Sequence, residues 1–192
     1  MVFPVSASVS DAALAVLRQA VKGSGRQEFV RSCLVRLWPG AELLLRAVSL
    51  RLGGEIRLPG DSRTLLSRSI RTGVAYVNRL HKPRSRHGYY RLDDWEQTVY
   101  LGFFTGLFMA AGEVGYCRVR SLDGGLWTVS GPPYLVWRER HPGPVRVEWG
   151  AGASQARTAW RLAWQAMLAG RRRHWLERRL LATLGDVAGV QA

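Results

Sequence analysis

The chain has 192 residues, 47% hydrophobic and 22% charged, with 28 lysines and arginines against 14 acids, a formal net charge of +14. That length suffices for one well-buried core, and the composition excludes wholesale disorder. Only Lys22 and Lys82 are lysines; arginine grips phosphate through a planar fork and stacks on bases, so the partner expected is nucleic acid rather than an acidic membrane surface.

Cys33 and Cys117 show no metal-ligand spacing and read as reduced core thiols, and the four histidines form no metal pattern. No metal or cofactor is expected. Met1–Ser10 lacks a basic segment ahead of an apolar one, so an intracellular rather than a secreted protein is expected.

In chain order, Ser10-Asp11 predicts the cap of a first helix with Leu14, Leu17 and Val21 on one face. A second helix follows, with Phe29, Val30, Cys33, Leu34 and Leu37 as its apolar stripe, stopped by Trp38-Pro39-Gly40. Glu42–Leu52 suits either a buried helix or a strand, and Glu55–Leu58 alternates as a short strand should. Asp61-Ser62 opens a helix with Leu65, Leu66, Ile70, Val74, Val77 and Leu80 inward and Arg63, Arg68, Arg71 and Arg79 outward. His81–Gly88 reads as a dense basic loop broken by Pro83 and Gly88, and Tyr89–Leu92 as a strand.

Asp93-Asp94 then caps a central helix over 95–111, the most apolar run of the chain. Gly102, Gly106 and Ala110 stand four apart on it and form a small-residue packing face. The charge-free run from Gln97 to Gly112 is shorter than the roughly 20 residues a membrane span needs, so a membrane partner is not expected. Between about 114 and 149 the pattern becomes extended. Val114, Tyr116, Arg118 and Arg120 share one strand face, Asp123-Gly124-Gly125 makes a turn into Leu126–Val129, and Tyr134–Trp137 and Val145–Trp149 read as further strands of an antiparallel sheet. Ser154 caps a helix with Ala156, Trp160, Ala163, Trp164 and Met167 inward. The Arg171-Arg172-Arg173 run leads into a last helix with Leu176, Leu180, Leu181 and Leu184.

Phe104–Gly112 resembles the LAGLIDADG motif of homing endonucleases, with Gly106, Leu107, Phe108, Ala110 and Gly112 in register. The resemblance implies a helix that packs through small residues and leads into a DNA-facing sheet, with an acid at its end holding the catalytic metal. Ala111 stands at that acid's position, and alanine cannot ligate a hard cation, so this one copy reads as a non-catalytic binder. No P-loop, GxSxG, GxGxxG or HExxH pattern occurs.

The expectation is one α+β domain over 1–192, with N- and C-terminal helices around an antiparallel sheet. Its subdivisions would be 1–60, 61–149 and 150–192. The function expected is a non-catalytic, arginine-rich nucleic-acid-binding protein, DNA or RNA, within a nucleoprotein or ribonucleoprotein assembly. Phosphate would meet Lys82, Arg84, Arg86, His87, Arg91, Arg118, Arg120, Arg171, Arg172 and Arg173. A homodimer or larger assembly would form through helix 95–111. The alternatives are an endonuclease completed by a partner's acids, and a membrane or protein-interaction module using the Gly102/Gly106 face.

Overall fold

A computed structural model describes residues 6–22, 25–38, 40–84, 92–168 and 175–189, with the backbone alone at 81–84, 92–94, 168 and 175. The fold is α+β: eight α-helices among the described residues and one three-stranded antiparallel sheet. Helix α1 (Ala7–Val21) is capped by Ser6 rather than Ser10 or Asp11, because the Ser6 hydroxyl accepts from the Val9 amide. Helix α2 (Arg26–Glu28) runs on into a π-helical stretch, Phe29–Val35, where the Arg36 amide reaches the Arg31 carbonyl five residues back. The wider turn changes which side chains face inward: Val30 and Leu34 are buried, whereas Leu37 and Cys33 are exposed, so Cys33 is not the core thiol expected. Cys117 is buried, and desolvation pushes its thiol up to about 12.

Glu42–Leu52 is helical, within α3 (Gly40–Leu52), and buries Leu44, Leu45, Val48 and Leu52 on one face. The strand expected at Glu55–Leu58 reduces to a single bridge between Arg57 and Thr64. Helix α4 (Leu65–Arg84) runs 20 residues, straight through Gly73. It also takes in Lys82 and Arg84, so they stand at a helix end and not in the loop expected over His81–Gly88. Pro83 removes one hydrogen bond, but only in the final turn. The expected basic-loop residues Arg86, His87 and Arg91 lie outside the described residues.

Helix α5 (Leu92–Ala111) starts at Leu92, so that residue is not strand and Asp93-Asp94 fall in the first turn instead of ahead of it. Phe103, Phe104, Leu107 and Phe108 are wholly buried, and α5 packs on α4, on α7 (Gln155–Leu168) and on α8 (Trp175–Ala188). With the 3-10 turn Gly112–Tyr116 that follows, its apolar stretch Trp95–Tyr116 reaches 22 residues, longer than the charge-free run alone suggested. By length and composition it could cross a membrane, yet 67% of its most apolar window is buried inside the fold.

Val114 and Tyr116 belong to this turn rather than to the strand face. The sheet follows in the order β2-β1-β3, with β1 (Cys117–Ser121) between β2 (Leu126–Thr128) and β3 (Val145–Trp149). The expected strand at Tyr134–Trp137 is instead helix α6 (Tyr134–Arg140). Pro133 opens it, the Trp137 amide closes the first turn on the Pro133 carbonyl, and Tyr134 and Trp137, three apart, both enter the core. The β-propensity of Tyr, Val and Trp is overridden by that tertiary burial.

In α7 the buried residues are Thr158, Ala159, Leu162, Ala163 and Met167. Trp160 and Trp164 stack on each other, their centroids 5.6 Å apart, and with Ala156 they are only half-buried. Leu176, Leu180, Leu181 and Leu184 of α8 are buried as the spacing implied. One hydrophobic cluster draws on every α-helix except α2, on the π-helical stretch and on the inner face of the sheet.

Candidate nucleic-acid interface

Alternation along β1 turns Cys117, Val119 and Ser121 into the core and Arg118 and Arg120 to solvent. Register brings neighbours to that outer face: Arg118 stands between Thr128 and Glu148, and Arg120 between Leu126 and Arg146. Arg120 donates to Glu148 at 3.1 Å, while the Arg146 guanidinium lies 3.9 Å from the same carboxylate. Arg118 enters no ion pair among the described residues. Three cations thus share one acid on this face, and Leu122, 83% exposed, ends it at the hairpin turn. Arg146 was missed by the sequence reading, although the inward spacing of Val145 and Val147 already placed it outward.

The second cationic surface is α4, which carries Arg68, Arg71, Arg79, Lys82 and Arg84 and no acid. Arg68 pairs with Glu113 at 3.2 Å. Arg71 and Arg79 are exposed and have no ion pair or side-chain hydrogen bond among the described residues. The expected cluster Arg171-Arg172-Arg173 lies outside the described residues.

Gly102 and Gly106 do form a packing face, and α4 covers it. A Cβ on Gly106 would stand 2.8 Å from Tyr76 Cβ and 3.0 Å from the Thr72 carbonyl, and one on Gly102 would meet Leu80 at 2.8 Å. Gly73 returns the approach from α4: its Cβ would stand 2.7 Å from the Phe103 carbonyl. Ala110 is 7% exposed and Ala111 wholly buried. The Gly102/Gly106 face, offered to a membrane or protein partner in the alternative reading, is therefore filled by the chain's own helix α4.

No match is found among protein-family models, characterised proteins or solved structures.

Two further clusters carry chemistry that the sequence did not flag. A cleft of about 860 Å³ lies between α1, α6 and the segment after α3, with Ala12, Val16, Arg57, Tyr134 and Arg138 among its walls. The Tyr134 hydroxyl donates to Glu55, whose carboxylate also receives Arg138 Nε at 3.1 Å. Burial and that acid both push the Tyr134 phenol up, so it stays a neutral hydrogen-bond donor. At the hairpin turn Asp123 accepts from the Ser121 hydroxyl, from His141 Nδ1 at 2.8 Å and from the Gly125 amide at 3.2 Å. These bonds, Ser121's first and His141's second, hold its carboxyl down at about 2. The arrangement is not a nucleophilic relay: such a relay needs the hydroxyl on the imidazole, whereas here both groups converge on the carboxylate. It pins the β1–β2 turn to the end of α6.

Arg51 serves the fold in the same way. It donates to the Gly131 carbonyl at 2.6 Å, and burial brings its guanidinium down to about 10.

Proposed function

We propose that this protein is a non-catalytic, basic nucleic-acid-binding subunit of a nucleoprotein or ribonucleoprotein assembly. The observation that carries the reading is the uncompensated charge: 28 cations against 14 acids leave a formal +14 even with every acid matched, and α4 holds cations with no acid at all. Arg118 and Arg120 on the sheet and Lys82 and Arg84 at the end of α4 offer forks and ammonium to phosphate; the runs at 86–91 and 171–173 add to them in the sequence. Titration of the protein with labelled mixed-sequence DNA and RNA across a salt series tests this. Each neutralised phosphate releases counterions, so log affinity against log salt falls with a slope of about −0.9 per contact on duplex DNA. A steep slope is expected; a flat one, or no binding at low salt, overturns the reading.

A second reading, a LAGLIDADG-type endonuclease whose acids come from another chain, is favoured by one feature: the motif helix passes through a single 3-10 turn into a strand with Arg118 and Arg120 outward. Reproducible nicking of supercoiled plasmid with Mg²⁺ by pure protein would support it over a non-catalytic role.

A further inference from the structure

The outward face of α4 has a geometry that selects among nucleic acids. At 100° per residue, Arg68, Arg71, Ala75, Asn78 and Arg79 fall within a stripe about 100° wide. Arg71, Ala75, Asn78 and Arg79 are exposed and Arg68 is half-buried. Gly73 lies about 170° from the centre of that stripe, on the line where α4 meets α5. Because a single Cβ there would run into the Phe103 carbonyl, the two backbones are in direct contact, and α4 is held on the buried stretch 102–108 of α5 rather than on mobile side chains. The stripe is therefore a fixed cationic ridge with no acid of its own, its one paired arginine being Arg68, held by Glu113.

Its middle is the small Ala75, with a free arginine toward each end and Asn78 at one edge, next to Arg79 in the chain. Arg71 and Arg79 are eight residues apart, about 12 Å along the axis, comparable to the major groove of B-form DNA, which is about 12 Å wide and admits a helix. A small centre lets the helix approach base edges while the two guanidinium groups reach the flanking phosphates, and an asparagine can pair with adenine there. The deep, narrow major groove of A-form RNA excludes such an approach. Single strands are held by aromatic stacking platforms, and the stripe presents none: Tyr76, 39% exposed, has its Cβ against Gly106 on the packed flank.

We infer that the outward face of α4 docks on B-form duplex DNA, with Arg71 and Arg79 on phosphates and Asn78 toward the bases. This deepens the nucleic-acid reading and rests on it. The test uses the full chain and labelled oligonucleotides of one length and sequence as duplex DNA, single-stranded DNA and duplex RNA. Binding is measured by anisotropy over a salt series for the wild type, the Arg71→Gln/Arg79→Gln variant and a control, Arg178→Gln/Arg179→Gln, which removes the same charge from exposed positions on α8. None of the four side chains is buried, and circular dichroism verifies each fold.

Tighter binding of duplex DNA than of the other two is expected, with the salt slope reduced by about 2 in the α4 variant and little changed in the control. Equal or tighter binding of single strands or duplex RNA overturns the inference, as does an equal loss of slope in both variants or no loss in the α4 variant. In those cases the broader nucleic-acid reading still stands. No binding to any of the three overturns both.

Discussion

Asp123 shows how a single exposed carboxylate can hold a turn. Its three hydrogen bonds all favour the ionised form, so the folded value of about 2 lies below the ordinary aspartate value of about 3.9. A group depressed in this way adds stability above the unfolded value and loses it as pH falls through the folded one. The contribution should thus be complete above about pH 4 and disappear toward pH 2. Urea midpoints of the wild type and Asp123→Asn, compared across that range, should differ most at pH 4 and above and converge on acidification. A gap that stays constant to pH 2 would show that the carboxylate's charge is not what holds the turn. This cluster left no signal in the sequence beyond the turn itself, because His141 is eighteen residues away and reaches Asp123 only once α6 has formed.

The close crossing of α4 and α5 gives the glycine spacing its physical meaning. Gly102 and Gly106 announced a small-residue face, but its occupant was not legible: nothing local to Gly73 marks it as the other half of the contact. Alanine at Gly73 gains about 1 kcal/mol of helix propensity, but it must displace a backbone carbonyl, and overpacking costs about 1–3 kcal/mol. Strain against backbone cannot relax through a side-chain rotamer, so we expect Gly73→Ala to lower the melting temperature by a few degrees, each kcal/mol being about 2–4 °C for a chain of this size. Gly40→Ala, at a helical position with nothing within 4 Å of the added methyl, should be neutral or mildly stabilising. Equal effects at the two sites would contradict the close crossing. Helices with a continuous one-faced stripe, such as α4 and α8, were readable as helices, although α4 starts at Leu65 and runs on to Arg84, past the loop expected from His81. The π-helical stretch at Phe29–Val35 and helix α6 were not, since the first changes its period mid-element and the second wins against local β-propensity through burial of Tyr134 and Trp137.

The molecule as a whole is layered around α5, and that order sets where it should open first. Phe103, Phe104, Leu107 and Phe108 have no exposure, and α5 is flanked by α4, α7 and α8, so its amides can reach water only when the cluster comes apart. The sheet differs: β2 has three residues, stands at an edge, and leaves Leu126 48% exposed. The last turn of α8 ends at Gly189 in a left-handed conformation with Val187 58% exposed. Native-state hydrogen exchange should therefore rank the amides of Phe103–Ala111 at the global unfolding limit, with exchange that depends steeply on denaturant. Those of β2 and of the end of α8 should exchange through small, denaturant-insensitive openings. The prediction bears on binding too. If α4 and α5 unfold as one unit, a ligand gripping α4 should slow exchange in α5 without touching it, and should leave the local openings of β2 unchanged. Protection confined to β2 and β3 on adding duplex DNA would instead move the interface from α4 to the arginines of the sheet.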